Sequence, residues 1–252
     1  MPLLVYSCPP LSWAQEKTFL PDTLWETNFE DGFHDYLRTI LATPDGGYLL
    51  GGSSNSNNFY DSTAEFDFWI AKVDANGQKL WEKYLGGTEN DFLNEMVICP
   101  DGGYLLGGYS QSGIGDDKTE SLRGKTDFWV VKVDEEGNKL WDKTYGGSEV
   151  DLLIDMQVSP DGGILLAGMS DSNISGDKTV SNIDMGIRDR WILKIDKNGN
   201  KLWEIVLDGQ PYGFIASNQV ASFRDGNYGS YEAIGLPIQY NFPKLIAIFI
   251  NF

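Results

Sequence analysis

Two segments of this chain are near copies of each other. DFWIAKVDANGQKLWEKYLGG begins at Asp67, and DFWVVKVDEEGNKLWDKTYGG begins at Asp127. The dipeptide Leu-Trp also recurs with periods of 56, 60 and 62 residues, at Leu24-Trp25, Leu80-Trp81, Leu140-Trp141 and Leu202-Trp203. A sustained internal period of this length indicates a repeat architecture, in which each unit is one small motif that packs on its neighbours.

Each unit has the pattern of four short strands. In the clearest copy we predict strands over 94–99, 104–108, 127–134 and 139–145, with a tight Pro-Asp-Gly-Gly turn between the first two. Along 127–134 the side chains alternate between two faces, and no segment has a helical period. Four antiparallel strands per unit predict an all-β, β-propeller-like fold with about four blades.

Seven of the eight tryptophans fall at two repeated positions. We place Trp69, Trp129 and Trp191 on the third strand, and Trp25, Trp81, Trp141 and Trp203 on the fourth. A buried indole removes ~150–250 Å² from water, which gives on the order of 4–6 kcal/mol as an upper bound. We therefore predict that these rings pack between blades; the alternative interpretation is a stacking platform for sugars.

Two sets of aspartates also recur in register. Asp45, Asp101 and Asp161 belong to the Pro-Asp-Gly-Gly turns, and Asp35, Asp91 and Asp151 precede the first strands. A residue repeated in every unit is more typical of a turn or cap than of catalysis.

The two ends of the chain look like parts of one blade. Residues 24–29 resemble a fourth strand without the first three, and residues 244–250 resemble a third strand without its fourth. Pairing of these ends would close the ring within one domain over 15–252, with repeats at about 24–79, 80–139, 140–201 and a degenerate 202–252. The alternative is a piece of a longer repeat array.

Charge and the N-terminal residues indicate the cellular setting. Thirty-seven acidic and nineteen basic residues give a net charge of −18, which opposes binding to nucleic acid. Residues 1–14 resemble a signal peptide cleaved after Ala14, and lipidation at Cys8 is the alternative. No other stretch is apolar enough for a transmembrane helix. We expect an exported protein, extracellular or at the cell surface; through Cys8 it would be a periplasmic or outer-membrane lipoprotein.

All variation in repeat length falls in one polar loop per unit, between the second and third strands. These loops should cluster on one face, which we expect to contact an unknown glycan or protein ligand. The acidic candidates for binding are Asp61, Asp116, Asp117, Asp177 and Asp184. Carboxylates and carbonyls in such loops could hold Ca²⁺, although none matches the EF-hand pattern. The alternative is that the loops are solvated linkers.

The residues that common catalytic sites need are scarce. His34 is the only histidine, so a nucleophile–histidine arrangement would rest on it alone, and no zinc cluster can be assembled. We predict no catalytic residues and no cofactor. Unrepeated carboxylates at a central channel remain available for glycan hydrolysis.

The motifs KVDANGQKLWEKYLGG and PDGGYLLGGYS, at constant spacing over residues 24–208, resemble tandem repeats of secreted Bacteroidota proteins. Many of those end in a type IX secretion sorting domain, which is not recognisable here. The resemblance implies export and a propeller-like scaffold. The hairpin VDxxGxxLW is also similar to the tryptophan-docking repeat of quinoprotein dehydrogenases, whose active-site residues have no match here.

These observations together favour an exported, non-catalytic binding or adhesion module that presents the variable loops on one face. Two alternatives stay open. One is a glycan-active hydrolase or lyase, and the other is a scaffold in envelope assembly.

Overall fold

A computed structural model describes residues 35–55, 65–183, 188–207, 221–222 and 228–229. Within these ranges the chain forms three four-stranded antiparallel sheets, in which strand order follows chain order. Sheet 1 contains β1 (Asp35–Ala42), β2 (Tyr48–Ser54), β3 (Asp67–Val73) and β4 (Lys79–Leu85). Sheet 2 contains β5 (Asp91–Ile98), β6 (Tyr104–Ser110), β7 (Asp127–Val133) and β8 (Lys139–Tyr145).

Sheet 3 contains β9 (Asp151–Val158), β10 (Ile164–Ser170), β11 (Asp189–Ile195) and β12 (Lys201–Leu207). A separate pair joins β13 (Ala221–Ser222) and β14 (Tyr228–Gly229). The prediction of an all-β chain built from four-stranded antiparallel units is thus confirmed. The described part of the chain contains no helix with the length and hydrophobicity needed to cross a bilayer.

The sheets begin one strand later than the sequence repeats. A unit that starts at Leu80-Trp81 contains the last strand of sheet 1 and the first three strands of sheet 2. The predictions for residues 1–14, the end strands at 24–29 and 244–250, Trp25, Asp61 and Asp184 lie outside the described residues.

Neighbouring sheets stack face to face through the alternating side chains of their third strands. Phe68 of sheet 1 meets the Trp129 ring of sheet 2 with centroids 4.6 Å apart, and Phe128 meets Trp191 of sheet 3 at 5.1 Å. Both indoles are fully buried. At both interfaces, therefore, the earlier sheet presents a phenylalanine and the following sheet presents a tryptophan.

The fourth-strand tryptophans pack against hairpin turns of the following sheet. A β-carbon at Gly137 would lie 2.8 Å from the Trp81 ring, and one at Gly199 would lie 3.1 Å from Trp141. Both glycines have φ near +80°, which other residues rarely adopt. The turns at Gly137 and Gly199 thus let the indole lie directly on the backbone.

The first strands lie side by side, with β5 contacting both β1 and β9. The Asn94 amide donates to the Leu153 carbonyl at 2.7 Å, and the Thr39 hydroxyl donates to Glu95 at 2.9 Å. Stacked sheets with their first strands innermost are propeller-like. The two outer faces of the stack also carry apolar clusters, around Trp69 on sheet 1 and Trp203 on sheet 3.

Candidate functional site

Two equivalent loops stand at the end of the sheets where the first strands begin. They connect β6 to β7 and β10 to β11, and we call residues 111–126 together with 171–183 the loop face. The corresponding loop of sheet 1 falls largely in residues 56–64, outside the described ranges. Each loop of the loop face contains the same short motif, Gly-Asp-Asp-Lys-Thr in one and Ser-Gly-Asp-Lys-Thr in the other.

Backbone hydrogen bonds tie each loop to the preceding sheet. The Asp117 amide donates to the Gly86 carbonyl at 2.9 Å, and the Asp177 amide donates to the Gly146 carbonyl at 2.8 Å. Lysines from the fourth strand of the loop's own sheet hold its other side, because Lys139 and Lys201 donate to the carbonyls of Asp117 and Asp177. The loops therefore connect one sheet to the next.

A buried lysine anchors each loop from below. Lys118 and Lys178 are almost fully buried, with their ammonium groups 5.6 and 6.0 Å from the ring centroids of Trp129 and Trp191. Lys118 donates to the Thr144 hydroxyl, and Lys178 donates to the Ser172 carbonyl at 2.5 Å. Burial lowers the pKa of Lys118 to about 8. An ammonium over an indole face is favourable, and more so when it is desolvated.

The third-strand indoles also hold a carboxylate that fixes the loops. Trp129 Nε1 donates to Asp142 at 3.2 Å, and Trp191 Nε1 donates to Glu204 at 2.7 Å. Asp142 further accepts the amide and hydroxyl of Thr119, at 2.9 and 2.7 Å. Loop, indole and fourth strand thus form one hydrogen-bonded unit.

Two recurring aspartates at the starts of first strands are buried beneath the loops. Asp91 Oδ2 accepts the Gly87 amide at 2.7 Å and the Ser112 hydroxyl at 2.9 Å, and Asp151 makes the same bonds to Gly147 and Ser172. Burial raises the pKa of Asp91 to about 6, against the lowering effect of its hydrogen bonds. Each carboxyl closes the turn before a first strand.

Asp127, at the start of β7, is also buried and lies near Asp151. Its Oδ2 accepts the Arg123 amide at 2.5 Å, and its Oδ1 receives no hydrogen bond from the described residues. Burial raises the pKa of Asp127 to about 6, with a further increase from the charge of Asp151. The three carboxyl groups of this acidic network are closed to solvent, and their hydrogen bonds support the loops.

The aspartates predicted to bind a ligand have different surroundings. Asp116 is exposed at φ 47°, in the left-handed position that Gly176 takes in the next loop. Asp177 accepts Arg123 Nε at 2.7 Å and is half-buried, so its carboxylate already serves the loop. Asp117 is also half-buried and accepts the Gly86 amide at 3.4 Å. Within the described ranges, no three His, Cys, Asp or Glu side chains are arranged to hold a metal ion.

The turn aspartates have partners at the opposite end of the sheets. Asp45 and Asp101 lie 2.8 and 2.9 Å from the ammonium groups of Lys72 and Lys132, two buried third-strand lysines. Asp161 pairs with Lys194 in the same way. The lysine hydrogen bond is the main cause that lowers the pKa of Asp161, to about 2. These pairs fasten the first hairpin of each sheet to its third strand.

The outward side of the loop face carries exposed aliphatic side chains, Ile114 on the first loop and Ile174, Val180 and Ile183 on the second. Ile114 and Ile174 occupy equivalent positions, and their side chains are 66% and 63% exposed. Sequence reasoning overlooked both, together with the buried lysines below them. The segments Ile-Gly-Asp-Asp-Lys-Thr and Ile-Ser-Gly-Asp-Lys-Thr were the available signal, because they keep Ile, Asp, Lys and Thr at the same spacing inside loops of unequal length.

Comparisons with known proteins leave the family open. No family model matches the chain, and no curated protein matches it. Twelve chains of solved structures are similar, among them a mutant of the apocarotenoid oxygenase from Synechocystis, with 15% identity and a TM-score of 0.37. The alignment covers 69% of this chain and 38% of that one. A TM-score this low does not establish a common fold.

Proposed function

We propose that this protein is a non-catalytic binding module whose loop face contacts a protein partner. One observation carries the proposal. Ile114 and Ile174 are both about two-thirds exposed at equivalent positions of two loops that share the same internal anchors. Exposed aliphatic groups surrounded by polar residues are a common feature of protein interaction sites.

The anchoring favours binding because the loops have little freedom to lose. Lys118 and Asp142 fix one loop at two points, and the backbone bond from Asp117 to Gly86 adds a third. A preorganised surface avoids the ordering entropy that a mobile loop loses when a partner binds. Isoleucine at the tips supports a protein partner over a glycan, because sugars are usually held by aromatic faces.

We further propose that the sheets close into a ring through a fourth sheet. The support is that both outer faces of the stack resemble the faces buried between the sheets, with Trp69 on one and Trp203 on the other. Trp81 and Trp141 each pack on a turn glycine of the following sheet. By the same register Trp25 would pack on Gly77, and residues 24–29 would then lie in front of sheet 1.

Export is also a proposal, and it rests on the sequence of residues 1–14. The expected mature N-terminus is Gln15, or lipidated Cys8 if the chain is a lipoprotein. Mass spectrometry of the protein from its native envelope and medium distinguishes these. An intact N-terminus in the cytoplasm would contradict export.

The function is tested by screening the full chain on arrays of secreted proteins and of glycans, with sugar release monitored. We expect a protein ligand whose affinity falls at least about 10-fold when Ile114 and Ile174 are both changed to Asn, in line with the loss of two interface anchors. Leu80→Asn with Leu140→Asn is the matched control, since these leucines are 56% and 59% exposed at the outer edge.

Equal loss of affinity in both double variants would contradict the loop face as the contact surface. Release of sugar from any glycan would contradict the non-catalytic assignment. Binding to glycans alone, with an affinity that the isoleucine changes do not alter, would contradict the proposal of a protein partner.

A further inference from the structure

A cavity of about 180 Å³ opens between sheets 2 and 3, at the turn end and thus opposite the loop face. The Trp141 ring and Ile164 form much of its apolar wall, and Lys197 lies at its rim. Cys99, Asp101 and Lys132 also line it, from the first hairpin and third strand of sheet 2. A cavity of ~150 Å³ with apolar walls is large enough to hold benzene.

The interface between sheets 1 and 2 shows what normally fills this place. Tyr104 stands where Ile164 stands in sheet 3, and its ring is buried in the core between sheets 1 and 2. Its pKa is raised by burial and then by the charges of Asp45 and Glu135. Those two carboxylates are the counterparts of Asp101 and Lys197, so the phenol ring occupies the equivalent of the cavity.

The repeat is therefore broken in two related ways at this one interface. Ile164 replaces a tyrosine and leaves room for a ring, while Lys197 replaces the acidic Glu135. With Lys132 and Asp101 unchanged in type, the ionisable groups here sum to a net positive charge, where the neighbouring interface is net negative. A positive site is unusual on a chain of net charge −18.

The lysine and thiol of the wall have distinct roles. Lys132 is buried and already donates to Asp101 at 2.9 Å and to the Gly102 carbonyl at 2.5 Å. Lys197 is exposed and is the cation available at the rim. Burial raises the pKa of the Cys99 thiol, so this side chain is a neutral part of the wall.

We propose that this cavity binds a small aromatic carboxylic acid. The ligand ring lies against Trp141 in the volume that the Tyr104 ring takes in the neighbouring interface, and the carboxylate lies beside Lys197. Ring stacking and exclusion of water from Trp141 favour the ring, and the cation selects the acid over neutral analogues. This site is independent of the loop face.

The probe is 4-hydroxyphenylacetate, and the measurement is isothermal titration calorimetry on the full chain. We expect saturable binding with one site per chain. The neutral analogue 4-hydroxyphenylacetamide should bind ~2- to 5-fold more weakly, because it lacks the one exposed ion pair with Lys197. Ile164→Tyr, which restores the residue of the preceding repeat, should abolish binding. Lys197→Glu should weaken the acid and leave the neutral amide unchanged.

A transplant provides the complementary test. Tyr104→Ile combined with Glu135→Lys should open the equivalent site between sheets 1 and 2 and raise the stoichiometry to two. Unchanged affinity in Ile164→Tyr, or no heat of binding by the unaltered chain at millimolar probe, would overturn the proposal. If the transplant does not fold, the Ile164→Tyr result alone decides, because it adds only a side chain the neighbouring interface already accommodates.

Discussion

Changing Asp91 to Asn should stabilise the protein more at neutral pH than in acid. The folded-state pKa of Asp91 is about 6, against an ordinary value of 3.8, with burial as the main cause. The folded protein therefore holds this proton to higher pH than the unfolded chain does. Stability from this group is fully present at low pH and is lost as the pH rises from about 4 to about 6.

The magnitude follows from the size of the shift. About two pKa units correspond to ~3 kcal/mol against the ionised folded form near pH 7. Roughly one third of this is already present at pH 4.5, so the variant should gain ~2 kcal/mol over the unaltered chain between pH 4.5 and pH 7. Asparagine can still accept from the Gly87 amide and the Ser112 hydroxyl, so the turn should keep its hydrogen bonds.

Urea unfolding at the two pH values measures the difference in the free energy of unfolding. Measurements stay at or below pH 7 because Lys118, beside Asp91, has a pKa of about 8. Asp134→Asn is the control of opposite sign. Hydrogen bonds from Asn138 and Glu136 lower the pKa of the Asp134 carboxyl, so the stability that this carboxylate contributes is present at neutral pH and lost in acid. A pH-independent difference for Asp91→Asn would refute the assignment of a raised pKa.

Two further pairs of substitutions test the packing. Gly108→Ala should lower the free energy of unfolding by about 3 kcal/mol, because the new β-carbon would lie 1.8 Å from the Phe92 carbonyl oxygen. Gly113→Ala is the control and should change the free energy little, because no atom lies within 4 Å of its β-carbon. Urea unfolding measures both. Trp141→Ala should lower the free energy of unfolding by about 2–4 kcal/mol. If Trp25 also packs on a turn, Trp25→Ala should lower it by a similar amount. A negligible effect at Trp25 beside a large one at Trp141 would contradict ring closure.

Much of the local structure could be predicted from residue order. Strands β6, β7 and β8 lie within two residues of their predicted bounds, because alternation and Gly-containing turns are local signals. The first strand was harder, since β5 begins at Asp91 and the prediction began three residues later, at 94. A bulge between Leu93 and Glu95 interrupts its alternation, which explains the late start.

The loop aspartates illustrate what local reasoning misses. Their polarity predicted a binding role, which stays a prediction. Polarity did not indicate that Asp177 accepts Arg123 Nε and that Asp117 accepts a backbone amide of the preceding sheet. Both partners are distant in sequence, at Arg123 and Gly86. The exposed isoleucines at the loop tips carried no catalytic or metal-binding signature, and so they were overlooked.

Sequence alone determined the sheets, their turns and the matched tryptophans, because backbone pairing over a few residues depends on nearby side chains. Only the tertiary structure decided which carboxylates are buried and that the Lys118 ammonium lies over the Trp129 ring. It also decided that a cavity opens at Ile164, in the position that Tyr104 fills at the neighbouring interface. Each of these depends on residues distant in the chain that the fold brings together, so that burial and charge are set by tertiary contacts rather than by the segment itself.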